Sequence, residues 1–441
     1  MKMFKALTIA GSDSGGGAGI EADLKTFAAF GVHGMVAITS VTAQNTMSVD
    51  AIHDLPATMV KKQIECVAKD IGVDAAKTGM LSNEKIIKAV ASAITKYDFP
   101  LVVDPVMIAK SGAYLLKEDA IDAFVKYIVP LAYVITPNRH EAERLSGVKI
   151  KSKEDARKAA KEIKRLGAEA VIIKGGHIGR SATDLLYYKR KFFEYKGKRI
   201  KGCTHGTGCS FSAAITANLA KGYELKEAVK ISKKFITTAI QYGVKIGHGH
   251  CPVNPNAWLA IAAEKWRVYE ELKDAVDLLI NMDIVDFIPE VGMNFAYALP
   301  YPYARSTEDV AAIEGRIVKA GKKARAGEIT FGASRHLAKA VLKAMEYDNA
   351  IRAVMNIRFD RKLVNKAKRK FIVSFYNRQE EPPEIKAKEG ATVPWGIETA
   401  IKRIGKVPDI IYHEGDVGKE PMILIFGRNP REVLKKFEML R

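Results

Sequence analysis

Between residues 4 and 245, short apolar runs rich in β-branched residues alternate with longer amphipathic segments, and this alternation constrains the fold more than any other feature of the chain. The runs are ALTIAG (6–11), MVAITSV (35–41), DAAKTGM (74–80), PLVVDPV (100–106), YVITPN (133–138) and AVIIKGG (170–176). Helical spacing of apolar residues fills 18–30, 56–70, 83–96, 118–130 and 152–166. Strands that are apolar along their whole length are buried on both faces, so the pattern predicts an α/β three-layer sandwich with a mostly parallel sheet. The aromatic-rich stretch LLYYKRKFFEYKGKRIKG (185–202) predicts an antiparallel hairpin at the sheet edge, and helices over 206–221 and 224–243 close the unit.

The segment GHGHCPVNPN (247–256) ends the periodicity, a helix over 257–281 follows, and a domain boundary is expected near 260. Residues 261–441 then form a second, smaller α/β domain with a mixed sheet. Its strands are expected at 285–288, 327–331, 350–358, 371–376, 409–412 and 422–426, and its helices at 306–321, 334–346, 394–404 and 430–439. A length of 441 residues suits two domains with a core each.

The 70 Lys and Arg against 50 Asp and Glu, a net charge of +20, invite a nucleic-acid or a phosphate reading. The excess is densest over 151–200, in a polar helix and a hairpin, and no block of like charges forms a tail. Scattered lysines of this kind mark solvated faces, and no nucleic-acid partner is expected. Four cysteines (Cys66, Cys203, Cys209, Cys251) make neither a disulfide framework nor a CxxC metal pair. The N-terminus turns polar too early for a signal peptide, and no apolar run reaches membrane-spanning length. The expectation is a cytoplasmic protein in a reducing interior, without a membrane partner.

Glycine-bearing turns at strand ends carry the chemistry, because the crevice at the carboxyl ends of the strands is where open α/β sheets bind ligands. AGSDSGGGAGIEADLKTF (10–27) opens a helix bearing Asp23, and HGTGCSFSAAI (205–215) leads a helix whose first amides, at Gly206, Thr207 and Gly208, suit an anion. That position should also depress Cys209 toward thiolate, making it a candidate base or nucleophile. Asp104 in VVDPV and Glu141 in TPNRHEAE are carboxylates at strand ends that suit Mg²⁺, and Lys174 in IIKGGH is a point charge for phosphate. Together these describe phosphoryl transfer. His248 and His250 beside Cys251 lack a fourth metal ligand.

These motifs, with TSVTAQNT (39–46), KTGM (77–80), DPVM (104–107), KGGH (174–177) and GHGHCPVN (247–254), resemble hydroxymethylpyrimidine/phosphomethylpyrimidine kinases of thiamine biosynthesis, over about 250 residues in family order. The resemblance implies a ribokinase-like fold and two successive ATP-dependent phosphorylations. It implies that Gly11, Asp23 and Gln44 hold the aminopyrimidine and that Cys209 takes the hydroxyl proton. Lys174 and the 206–208 backbone would face ATP phosphates, with Asp104 and Glu141 at Mg²⁺. Glu21 stands where the motif commonly has Gln, with little effect expected. Pyridoxal kinases share the fold and the GTGC turn and are the rival; the QNT element around Gln44 favours the aminopyrimidine.

In the second domain FGASRHLAKAVLKAM (331–345) reads as a strand, an N-cap at Ser334, and a helix with Arg335 and His336 in its first turn, again a phosphate-binding arrangement. Arg316 falls late in a helical pattern, and Asn294 and Arg358 lie at strand–turn elements where phosphate or base contacts could form. EVGMNFAYA, EGRIVK, FGASRHLA and MNIRFD, in that order, resemble the archaeal-type thiamine-phosphate synthase domain. That resemblance implies coupling of hydroxymethylpyrimidine diphosphate to hydroxyethylthiazole phosphate, with Arg316, Arg335 and His336 stabilising the leaving pyrophosphate. The competing expectation is a domain that only senses thiamine phosphate; no helix-turn-helix accompanies it. Partners are therefore small-molecule substrates, in a homo-oligomer.

Overall fold

A computed structural model describes residues 2–108, 112, 115–116, 120–175, 182–197, 199–200, 202–416 and 418–441. Residues 176 and 177 of the KGGH motif, the start of the helix expected from 118, and positions 198 and 201 of the edge hairpin lie outside them. The chain divides into two compact units, Met1–Leu259 and Ala260–Arg441.

Among the described residues the first unit has ten strands: β1 (Lys5–Ala10), β2 (His33–Ile38), β3 (Ser40–Gln44), β4 (Val49–Asp54), β5 (Ala75–Thr78), β6 (Leu101–Val103), β7 (Val134–Ile135), β8 (Ala170–Ile173), β9 (Asp184–Tyr188) and β10 (Lys191–Tyr195). Eight of them form one sheet in the order β10-β9-β8-β7-β6-β5-β1-β2. All neighbours from β8 to β2 run parallel, and β9 and β10 are added antiparallel at the edge. Its helices are α1 (Gly19–Ala29), α2 (Ala57–Asp70), α3 (Glu84–Ile94), α4 (Ile121–Tyr127), α5 (Arg139–Ser146), α6 (Lys153–Arg165), α7 (Thr207–Ala220) and α8 (Leu225–Gln241).

Alternate strand residues explain the continuous apolar runs. Leu7, Ile9, Val103, Ile135 and Ile173 face a core filled from α2 to α6. Ala6, Val102, Val134 and Ile172 face the opposite core, filled by α1, α7 and α8. The result is the three-layer sandwich, with every parallel strand's carboxyl end on one rim. The single run 35–41 resolves into two elements, because β3 leaves the sheet to pair with β4 as a separate hairpin that the sequence reading did not separate.

The second unit contains α9 (Ala257–Ile280) from Ala260 onward, β11 (Phe295–Ala298), β12 (Val310–Ile313), β13 (Ile317–Ala320), β14 (Lys323–Ala326), β15 (Ile329–Phe331), α10 (Arg335–Met345), β16 (Ala353–Arg358), α11 (Arg361–Lys368), β17 (Val373–Phe375), α12 (Pro383–Lys386), α13 (Thr392–Ile404), β18 (Ile410–His413), β19 (Met422–Gly427) and α14 (Pro430–Leu440). Seven strands form a sheet in the order β15-β12-β11-β16-β19-β18-β17, antiparallel except for β17 and β18. One face packs on α9, α11 and α14, the other on α10 and α13.

Two sequence expectations fail here. Residues 285–287 form a 3-10 turn, not a strand. The helix expected over 306–321 is a 3-10 turn followed by β12, a left-handed turn at Gly315 and Arg316, and β13. Arg316 has φ +70°, so the spacing that resembled a helix breaks in its middle.

Candidate active sites

In the first unit the carboxyl rim gathers four elements. Beyond β1, the glycine turn wraps the Asp13 carboxylate, which accepts N–H groups of Gly15 (2.9 Å), Gly17 (3.1 Å) and Ala18 (2.8 Å) and meets His205 Nε2 at 3.0 Å. Those contacts hold the Asp13 carboxyl below its usual range against the opposing effect of burial. Glu21 is also engaged, accepting the Asp13 amide at 2.7 Å, so this departure from the family motif has a place in the turn. The Gly11 carbonyl accepts Ile20 N–H, and Ser14 Oγ bridges to the backbone of Gln44, tying the end of β3 to the turn.

His205 enters α7 through Gly206, which has φ +76°. A side chain there would run into the Gly17 carbonyl as well as strain the backbone, so glycine joins the two turns at close approach. The N-terminus of α7 favours an anion, although the Thr207 N–H is already donated to the Thr204 carbonyl at 3.4 Å.

Asp104, at the end of β6, is buried and accepts Lys174 Nζ at 2.9 Å, with Thr136 and Ser212 hydroxyls at 3.3 and 3.4 Å. Burial works against the Lys174 charge, yet the Asp104 and Glu141 carboxylates hold it up at about 12. Glu141 completes a capping box on α5: Asn138 N–H donates to its carboxylate at 2.7 Å, and its own N–H donates to Asn138 Oδ1. Burial, then the neighbouring Asp104 charge, raise the Glu141 carboxyl to about 7.

Two expected residues sit in surroundings the motifs did not show. Asp23 is fully buried, with Lys77 Nζ 2.8 Å from both oxygens and Thr8 Oγ1 donating at 2.7 Å. Lys77, in the middle of β5, is the residue the sequence reading passed over; its KTGM motif was the signal. Burial opposes its charge, but Asp23, Cys209 and Asp104 keep its ammonium protonated. Cys209 is not a depressed thiol. Burial pushes it up to about 12, and Asp23 and Asp104 reinforce this against the opposing charge of Lys77.

A further correction concerns cysteine pairing. Cys203 and Cys251 form a disulfide whose Cα atoms are 4.8 Å apart, bracketing the GTGC turn and the GHGHCPVN loop. His205 N–H donates to the Cys251 carbonyl beside it. Among the described residues no cluster of three or more His, Cys, Asp or Glu could hold a metal. No described helix is long and apolar enough to cross a membrane.

In the second unit Asn294 is a latch within the sheet. It is buried, accepts the N–H of Phe295 and Ile313, and donates to the Ile313 carbonyl at 2.7 Å. Arg316 donates to the Val291 carbonyl. Arg335 and His336 lie exposed in the first turn of α10, and Ser334 is its N-cap without a side-chain cap bond. Desolvation by the surrounding side chains, then the charges of Arg316, Lys339, Lys419 and Arg378, lower His336 below its usual value although the residue keeps solvent contact. The charges of Arg316 and of three further cations that carried no local motif thus all act on His336. Arg358, at the end of β16, is exposed.

Comparison with known proteins follows this division. The phosphomethylpyrimidine kinase family matches residues 13–254, and the thiamine-phosphate synthase ThiN family matches residues 271–439. The bifunctional thiamine biosynthesis protein ThiDN of Methanocaldococcus jannaschii is 36% identical over 437 residues, 99% of this chain and 98% of that protein. The chain belongs to the ThiDN family.

The first unit is also similar to single-domain kinases. The hydroxymethylpyrimidine/phosphomethylpyrimidine kinase of Bacillus subtilis is 48% identical over 258 residues, covering 58% of the chain and 95% of the relative. A crystal structure of an ADP complex of Bacillus subtilis pyridoxal kinase is 41% identical, with a TM-score of 0.55, over 58% of the chain and 98% of that structure. The ribokinase-like architecture of the ThiDN first unit is thereby shown.

Proposed function

We propose that the first unit transfers phosphate from ATP to 4-amino-5-hydroxymethyl-2-methylpyrimidine and then to its monophosphate, and that the second unit couples the diphosphate to hydroxyethylthiazole phosphate, yielding thiamine phosphate and pyrophosphate. The observation that carries the kinase half is the gathering of the α7 amides, the Lys174–Asp104 pair and Cys209 on one rim. In this reading Gly206, Thr207, Gly208 and Lys174 stabilise charge on the transferring phosphoryl group, which is where such reactions obtain most of their catalysis. Cys209 acts as base only as the thiolate: its own proton, held by a pKa raised to about 12, must first pass to solvent, and the thiolate then takes the hydroxyl proton as the new P–O bond forms and ADP leaves. The buried Lys77–Asp23 pair fixes the floor beneath Cys209. Gly11 and Gln44, tied to the glycine turn, border the aminopyrimidine.

Asp104 and Glu141 fit a hard divalent cation by donor type, being two carboxylates at neighbouring strand ends close enough for the Asp104 charge to act on Glu141. Mg²⁺ bound there would supply charge neutralisation on the phosphates. In the second unit, Arg316, Arg335 and His336 stabilise the departing pyrophosphate. A homo-oligomer and a cytoplasmic setting belong to the same reading.

A coupled assay tests it: hydroxymethylpyrimidine, Mg-ATP and thiazole phosphate are supplied and thiamine phosphate is measured, with and without chelator. Absence of product, or dependence of the first step on no divalent metal, would contradict the corresponding part. The solved pyridoxal kinases give the second reading its support. A kcat/KM for pyridoxal far above that for hydroxymethylpyrimidine would establish it instead.

A further inference from the structure

In the second unit the chain leaves β17 through Tyr376 and a short 3-10 turn, Arg378–Glu380, ending at Glu381. The Glu381 side chain is 1% exposed, yet neither of its carboxylate oxygens accepts a hydrogen bond from any described residue. Arg378 Nη2 stands 4.0 Å from Glu381 Oε2, an ion pair too long for a hydrogen bond, and Arg378 Nε is also buried with its N–H undonated. Aromatic rings border the pair. Tyr376 lies 5.0 Å from the His413 ring and 6.0 Å, edge-on, from Trp395. Gly396 makes this possible, since a Cβ there would stand 2.5 Å from the Tyr376 ring. His413 accepts the Gly415 N–H at Nδ1, which leaves its Nε2 as the donor.

Buried polar groups are almost always satisfied, and an acceptor and a donor left open side by side mark a place where another molecule completes them. We propose that Glu381 and Arg378 form the subsite of the second unit that reads the pyrimidine ring, Glu381 accepting its exocyclic amino N–H and Arg378 Nε donating to the adjacent ring nitrogen. The inference rests on the synthase reading above. Of the two substrates in that reading, only the pyrimidine diphosphate carries N–H donors; the thiazole phosphate carries none, so an open carboxylate has one ring to recognise. The open carboxylate acceptors and the open Nε–H donor match the amino-and-ring-nitrogen edge in kind, and the Tyr376, His413 and Trp395 rings suit a planar heteroaromatic. Arg378 also contributes to the positive field at His336.

The test uses the full-length protein with synthetic pyrimidine diphosphate and thiazole phosphate. Glu381→Gln keeps the shape but offers an N–H, and is expected to raise the KM for the pyrimidine diphosphate about 10- to 100-fold, as for loss of a hydrogen bond to a charged group. The KM for thiazole phosphate should not move. A 4-oxo analogue presents the reversed donor–acceptor edge, and Glu381→Gln should use it better than the wild type does. Arg378→Lys should show the same selective rise in KM and guards against misfolding of the first variant. Equal rises in both KM values, or a lowered thermal midpoint with unchanged KM values, would make the pair a structural clamp and overturn the proposal. A wild type that makes no thiamine phosphate from these substrates overturns the synthase reading, and the inference with it.

Discussion

Cys209 stands where a helix end favours an anion, yet its thiol is pushed up to about 12. The helix end supplies about half a unit charge. Burial and the full charges of Asp23 and Asp104 outweigh it, even with Lys77 on the other side. Iodoacetamide near neutral pH should therefore label the exposed Cys66 well before Cys209; preferential early labelling of Cys209, followed by peptide mass spectrometry, would refute the raised thiol. Glu141 gives a second prediction with a defined sign. Its carboxyl titrates at about 7 when folded against an ordinary 4.5, so the folded protein binds the proton more tightly and this contribution to stability is lost as pH rises across that window. Glu141→Gln keeps an acceptor for the α5 cap and escapes the penalty. Its thermal stability should gain on the wild type by about 1–3 kcal/mol between about pH 5 and about pH 8, and a constant difference across that range would contradict the assignment. Neither environment was legible locally: the charges acting on Cys209 come from residues 23, 77 and 104, which only the sheet brings together.

At the level of elements, the parallel strands were legible because burial on both faces leaves an uninterrupted apolar run, as in AVII of β8. The stretch 306–321 was not, because VAAI and IVKA are each too short to show alternation and the Gly315–Arg316 turn between them preserves a helix-like spacing. The β3–β4 hairpin escaped for a related reason: one apolar run continues from β2 into β3, and only the pairing of Ser40 with Asp54 and Thr42 with Ile52 shows where the sheet ends. Asn294, whose polar side chain at a strand start suggested a ligand, also bonds backbone partners at Phe295 and Ile313, contacts that the local sequence does not show. The junction of the glycine turn with α7 makes its own prediction. Gly206→Ala meets both a positive φ and the Gly17 carbonyl, so kcat of the kinase step should fall at least tenfold, through displacement of the α7 amides. An unaltered kcat would show that the two turns are not held in register by this contact.

Across the whole molecule, each unit closes its own apolar cores, Phe27, Phe124 and Phe235 in the first and Phe295, Phe426 and Phe437 in the second. The two chemistries should therefore separate genetically. Cys209→Ala is expected to abolish thiamine phosphate formation from hydroxymethylpyrimidine, and added pyrimidine diphosphate should restore it. His336→Ala should not be rescued in this way. Failure of rescue in the first variant, or full activity in the second, would contradict the division of labour. The contact between Asp13 and His205 spans 192 positions, and the Cys203–Cys251 bridge closes later still. During vectorial synthesis the ribosome thus delivers the Asp13 nest long before the imidazole that completes it. A nascent chain has a finished phosphate rim only when almost all of the first unit has emerged, with the second still to be translated.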